Sequence, residues 1–200
     1  MKKLVLLAVL ALALPTAVFA GSSIDYTNSG GTLSGSNSGL SLSGSVLIAV
    51  NGNAGLITGS NLGSVSFETG ALSSGSLQNG GTFASGGWFT ITGNGSNGVP
   101  TGTLFSGTFS GPVSWTLVTL ANGTHNYTLS GTLSGTIASG YSTVGVTVQL
   151  TINTGKGFFN GCTKISSGDS NVVVPEPGSL SLLGTGLLAI GGMIRRKLKA

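Results

Sequence analysis

Between residues 21 and 173, acid, base or thiol chemistry would fall chiefly to Asp25, Glu68, Asp169, His125 and Cys162. Glycoside hydrolysis usually needs two carboxyl groups flanking one bond. No two of these carboxylates are near in sequence, so only the fold could pair them. Serine is abundant, but there is no Gly-x-Ser-x-Gly elbow, and His125 is the one imidazole that could serve a nucleophile as base. It stands beside a predicted turn with Asn126 and Tyr127 and is expected to be an exposed turn residue. Cys162 is the sole cysteine, which excludes an intramolecular disulfide framework. Burial near Phe158 and Phe159 is expected for it. One Cys and one His do not make a metal site. Gly93, Gly95 and Gly98 match Gly-x-Gly-x-x-Gly, yet a dinucleotide site needs a helix opening there, and Val99, Pro100 and Gly102 follow instead. These residues therefore predict no catalytic site, no cofactor and no metal: the chain reads as a non-enzyme.

The elements around these residues have a period of two. Val144, Val146, Val148, Leu150 and Ile152 alternate with Thr143, Gly145, Thr147, Gln149 and Thr151, which is the pattern of a half-buried strand. Asn122-Gly123 suits a tight hairpin turn and pairs 113–120 with 125–133; Asn79-Gly80 marks another such turn. Further strands are expected at 45–50, 62–68, 72–77, 82–92 with a break at Gly86 and Gly87, and 101–109. The segment 28–44 reads as flexible. Trp88, Phe89, Trp115 and Tyr127 could stack on sugar rings, but their strand spacing assigns them to the core. Strands every ten or so residues with Gly-rich turns predict an all-β fold, an antiparallel β-sandwich-like domain. A weak Thr/Ser-Leu-Ser-Gly repeat at Thr32, Ser41, Thr128 and Thr132 leaves a β-solenoid as the alternative. In that repeat Leu should face the core and Gly should end the strand.

The two ends have a different composition. Lys2 and Lys3 precede an apolar run from Leu4 to Leu14, Pro15 ends it, and Val18 and Ala20 supply small residues ahead of Gly21, as in a secretory signal peptide over 1–20. At the other end, Val174, Pro175, Glu176 and Pro177 are followed by a glycine-broken apolar stretch and then Arg195, Arg196 and Lys197. The seventeen residues from Gly178 to Ile194 would span about 25 Å as a helix, slightly short of a hydrocarbon core of about 30 Å. The basic residues orient such a transmembrane helix with everything before Val174 outside. This tail, 174–200, resembles the PEP-CTERM sorting signal, with its Pro-Glu-Pro box, membrane-spanning segment and basic end. The resemblance implies export, a transient anchor in the inner membrane, removal of the tail by an exosortase-type membrane protease, and a final place at the cell surface or outside the cell.

Charge is informative once the ends are set aside. The whole chain carries +4, but Lys2, Lys3, Arg195, Arg196, Lys197 and Lys199 lie in the terminal segments. What remains is Lys156 and Lys164 against Asp25, Glu68 and Asp169, a net −1 (two minus three). Two separated lysines cannot neutralise a phosphate backbone, which excludes nucleic acid as partner. A neutral, hydroxyl-rich domain of 21–173 suits a noncatalytic structural or adhesive role in an extracellular matrix, in contact with polysaccharide. Strand edges with few charges to guard them predict weak self-association. The alternative is a secreted carbohydrate-binding module or carbohydrate-active enzyme. Exposed aromatics beside an acidic residue would favour that alternative, and buried aromatics under hydroxyl faces would favour the structural role.

Overall fold

Alternating residues become strand along nearly the whole body. The computed structural model describes residues 22–140 and 142–174. The expected signal and transmembrane helices lie outside these described residues. The strands are β1 (Ser22–Ser29), β2 (Thr32–Ser36), β3 (Gly39–Gly52), β4 (Gly55–Glu68), β5 (Leu72–Ser76), β6 (Gly80–Phe83) and β7 (Gly86–Asn94). They continue as β8 (Thr101–Phe109), β9 (Val113–Thr119), β10 (His125–Ile137), β11 (Ser142–Asn153), β12 (Cys162–Lys164) and β13 (Ser167–Val174), with one 3₁₀ turn at Ser96–Gly98.

Their order is β11-β13-β1-β3-β4-β7-β8-β10, and β10 pairs again with β11. Eight antiparallel strands thus close into a barrel. The all-β, antiparallel expectation holds, whereas the open sandwich does not, and the closed ring is no solenoid. Closure depends on two strands that are long enough to carry two neighbours on one edge. β10 gives His125–Ser130 to β9 and Leu133–Ile137 to β8. β3 gives its first residues to β2 and its later ones to β1. Beyond the ring, β6 and β5 extend from β9, and β12 extends from β2. Turn spacing in the sequence counts strands, but it does not say which strands fork.

Barrels of about eight strands have an interior that side chains can fill. Here Phe67 stacks on Phe89 at 5.9 Å and Phe109 meets both edge-on at 6.0 and 6.2 Å. Val65, Ile91, Phe105, Leu133, Val146 and Val148 complete that interior, all buried. Under the extra strands Trp115 stacks on Tyr127 at 4.9 Å with Phe159 against its edge at 5.4 Å. The polar atoms of this group are satisfied: Trp115 Nε1 donates to the Leu77 carbonyl at 2.9 Å and Tyr127 Oη to that of Gln78 at 2.6 Å. Buried aromatics of this kind require such partners.

The 28–44 segment is ordered pairing rather than a flexible run. Leu33 lies opposite Leu42, and both are buried together with Leu40, so this Gly/Ser-rich stretch still has apolar surface to bury. The repeat behaves half as expected. Leu33, Leu42, Leu129 and Leu133 face the core. Gly131 and Gly135, however, sit inside β10, because a Cβ at Gly135 would come within 2.2 Å of the Ser106 carbonyl oxygen. Finally, Gly168 lies against Asn28, so antiparallel β13 and β1 bring Val174 and Ser22 to the same rim of the barrel. Among the described residues no helix is long and apolar enough to cross a membrane.

Candidate functional site

Because the apolar residues of each strand point inward, the residues between them build a polar outer wall. Thr82, Ser114, Ser130, Gln149 and Asp169 are successive cross-strand neighbours over β6, β9, β10, β11 and β13. Around the barrel, Ser66, Thr90, Ser106, Thr136 and Ser142 form a second such row over β4, β7, β8, β10 and β11. Hydroxyls within the wall bond to each other, as Ser64 Oγ does with Thr92 Oγ1 at 2.8 Å. A lipid-facing barrel wall has the reverse arrangement, apolar outside.

Two of the three carboxylates meet on this wall. Asp25 on β1 and Asp169 on β13 line one shallow trough of about 470 Å³ with Gln149, Thr147, Ser130 and Ser114. Burial, and then the charge of Asp169, hold the Asp25 carboxyl above its usual range. The fold has therefore made a pair that chain order does not suggest. The trough offers carboxylate acceptors with hydroxyl and amide donors. Among the described residues no basic side chain lines it.

Glu68 takes a separate position, with Trp88 as its cross-strand neighbour. Trp88 departs from the core assignment: it is 43% exposed, while Phe89, Trp115 and Tyr127 are buried as expected. The reason is local. Gly86 and Gly87 have φ of +103° and +68°, and the pairing register of β7 with β8 shifts between Gly86 and Phe89. The pairing of Trp88 with Glu68 nevertheless continues, unbroken, the register of Phe89 with Phe67, so Trp88 faces out as the alternate of buried Phe89. The sequence held the signal in the adjacency of Trp88 and Phe89, because consecutive residues of one strand face opposite ways. Indole Nε1 of Trp88 donates to Glu68 Oε2 at 3.2 Å.

His125 and Cys162 exchange their expected environments. His125 begins β10 instead of sitting in the turn, and is only 8% exposed. The chain after β11 folds back over it: His125 N–H donates to the Gly155 carbonyl at 2.7 Å, and Phe158 stacks on the ring at 4.3 Å. Its Nδ1 lies 3.0 Å from Thr119 Oγ1. Cys162 is exposed on the short edge strand β12, since Phe159, not Cys162, fills the core there. Nothing in the local sequence shows that return of the 154–159 loop. At the rim near Ser22, an apolar pocket of about 420 Å³ is lined by Tyr26, Val50, Ile57, Val99 and Leu104. Burial pushes the Tyr26 phenol up to about 12. Among the described residues no three His, Cys, Asp or Glu side chains are grouped to hold a metal ion.

Of the sorting-signal residues, Val174 ends β13, while Pro175, Glu176, Pro177, Arg195, Arg196 and Lys197 lie outside the described residues. Comparison with curated proteins and with solved structures finds no match. A family model does match the tail, over residues 173–197. The chain carries a PEP-CTERM protein-sorting motif there, which implies a secreted protein that is transiently anchored in the membrane, processed by exosortase as its membrane partner, and then placed at the cell surface.

Proposed function

We propose that residues 21–173 form a noncatalytic structural or adhesive domain of a surface or extracellular-matrix protein, with 1–20 as signal peptide and 174–200 as the sorting tail. The observation that carries this reading is the outer wall, whose two cross-strand rows are serine, threonine and glutamine with a single aspartate, over a core that takes in most of the aromatics. Such a wall exchanges hydrogen bonds with hydrated polysaccharide without strong charge, and multiple weak contacts along it suit adhesion rather than turnover. Weak self-association is part of the reading, through β5 and β12, which among the described residues each pair on one side alone.

The experiment is incubation of the purified full-length chain with an insoluble neutral glucan, followed by cosedimentation and assay of new reducing ends. Retention on the glucan with no new reducing ends is expected. Reducing ends that disappear in Asp25→Asn or Asp169→Asn would replace this reading with hydrolysis in the paired-carboxylate trough. The carbohydrate-binding alternative is favoured by one observation, the exposed Trp88 bonded to Glu68.

A further inference from the structure

We infer that Trp88, Glu68 and the serine-lined groove beside them form a binding site for a neutral saccharide; this rests on the reading of the body as a noncatalytic polysaccharide-contacting domain. Trp88 is the exception among the aromatics of the barrel strands, which are otherwise buried. The fold holds it out. Phe89 is fully buried beside it in β7, so alternation turns Trp88 outward, and Gly87 lets the two strands run close there, since a Cβ on it would come within 2.0 Å of the Glu68 carbonyl oxygen. The bond from Nε1 to Glu68 Oε2 then fixes the ring's orientation while leaving 43% of the residue open. A rigid, preorganised aromatic surface loses little entropy when a ligand covers it.

Beside the indole stand groups of complementary chemistry. Ser41, Glu68 and Trp88 are consecutive cross-strand neighbours, so hydroxyl, carboxylate and indole lie in one row about 10 Å long, two strand spacings. Glu68 and Ser41 also line a groove of about 230 Å³ with Ser34, Ser36 and Ser38. A pyranose ring has an apolar C–H face and a hydroxyl edge. The indole matches the face. The carboxylate accepts charge-assisted hydrogen bonds from the hydroxyls, and the serines donate or accept. Among the described residues no basic side chain lines the groove, so the Glu68 charge opposes uronate or sulfated glycans and selects neutral ones.

The two tryptophans differ in a way that gives the test its readout, because Trp115 is buried and Trp88 is open. Acrylamide quenching of the full-length chain in detergent therefore reports on Trp88. Cellohexaose and chitohexaose should protect the fluorescence, and a guluronate oligomer should not. By titration calorimetry, Trp88→Ala should weaken neutral hexasaccharide binding about thirtyfold or more, and Glu68→Gln about tenfold. Thermal unfolding of each variant separates loss of the site from loss of the fold. Unchanged affinity in folded Trp88→Ala overturns this site and leaves polysaccharide contact elsewhere on the wall standing. If Trp88→Ala does not fold, Glu68→Gln decides, and unchanged affinity there overturns the site. No binding of either neutral hexasaccharide by the native chain overturns the polysaccharide reading and this site with it.

Discussion

At the scale of single residues, the three carboxylates of the body have distinct physical situations. Glu68 is engaged with an indole, whereas Asp25 and Asp169 share a trough whose described lining holds no cation. Burial and the neighbouring charge of Asp169 both disfavour ionised Asp25, so its folded pKa lies above the unfolded one. The stability this confers is fully present below the unfolded pKa and is lost as pH rises through the folded pKa. Asp25→Asn keeps the uncharged form at every pH. It should therefore be more stable than the native chain near pH 7, by less than about 1 kcal/mol given solvent screening of so open a group, and indistinguishable from it near pH 3. Thermal unfolding at the two pH values checks this. A variant less stable than the native chain at neutral pH would mean that the Asp25 carboxylate makes a favourable contact. The pairing itself was not legible in the sequence, because 143 residues separate the two positions (169 − 25 − 1) and only barrel closure places β1 beside β13.

At the scale of elements, β11 shows how one glycine redirects a strand. Leu133 pairs with Val146 and Ser134 with Val144, so Gly145 at φ +74° is the extra residue of a bulge. Val144 is turned out, 73% exposed, and Thr143 is turned in, where it donates to the Val173 carbonyl. Val148, beyond the bulge, remains buried in the barrel. Val148→Asp should thus cost several kcal/mol, enough to unfold a marginal domain, while Val144→Asp should change stability by no more than about 0.5 kcal/mol. Chemical denaturation of both variants tests the register, and a reversed order would place the bulge elsewhere. Alternation alone assigned Val146, Val148 and Leu150 to the core, with Thr147 and Gln149 outside, and paired 113–120 with 125–133; these follow from local period and turn chemistry. Val144 leaves the core because Gly145 at positive φ shifts the period by one residue, whereas Trp88 leaves it by plain alternation with buried Phe89. His125 and Cys162 were misplaced because a distant loop decides what covers them. The sandwich became a barrel because strand forking at β3 and β10 is a property of pairing, not of composition.

At the scale of the whole molecule, Ser23–Val174 forms one compact unit with its own apolar core, and the sorting motif begins where that unit ends. Ser22 and Val174 leave from the same rim of the barrel. Trimming at both ends would then leave the core and the wall intact. The central claim is that the tail is a processed address and the barrel is the delivered product. Mass spectrometry of the protein recovered from outside its native host tests this most directly, for the native chain and for Glu176→Ala combined with Pro177→Ala. The account predicts an exported native product that starts at Gly21 and lacks the residues after the Pro-Glu-Pro box, and a doubly substituted chain held as precursor in the inner membrane. An exported native product with its tail intact, or normal external levels of mature protein from the substituted chain, would contradict it.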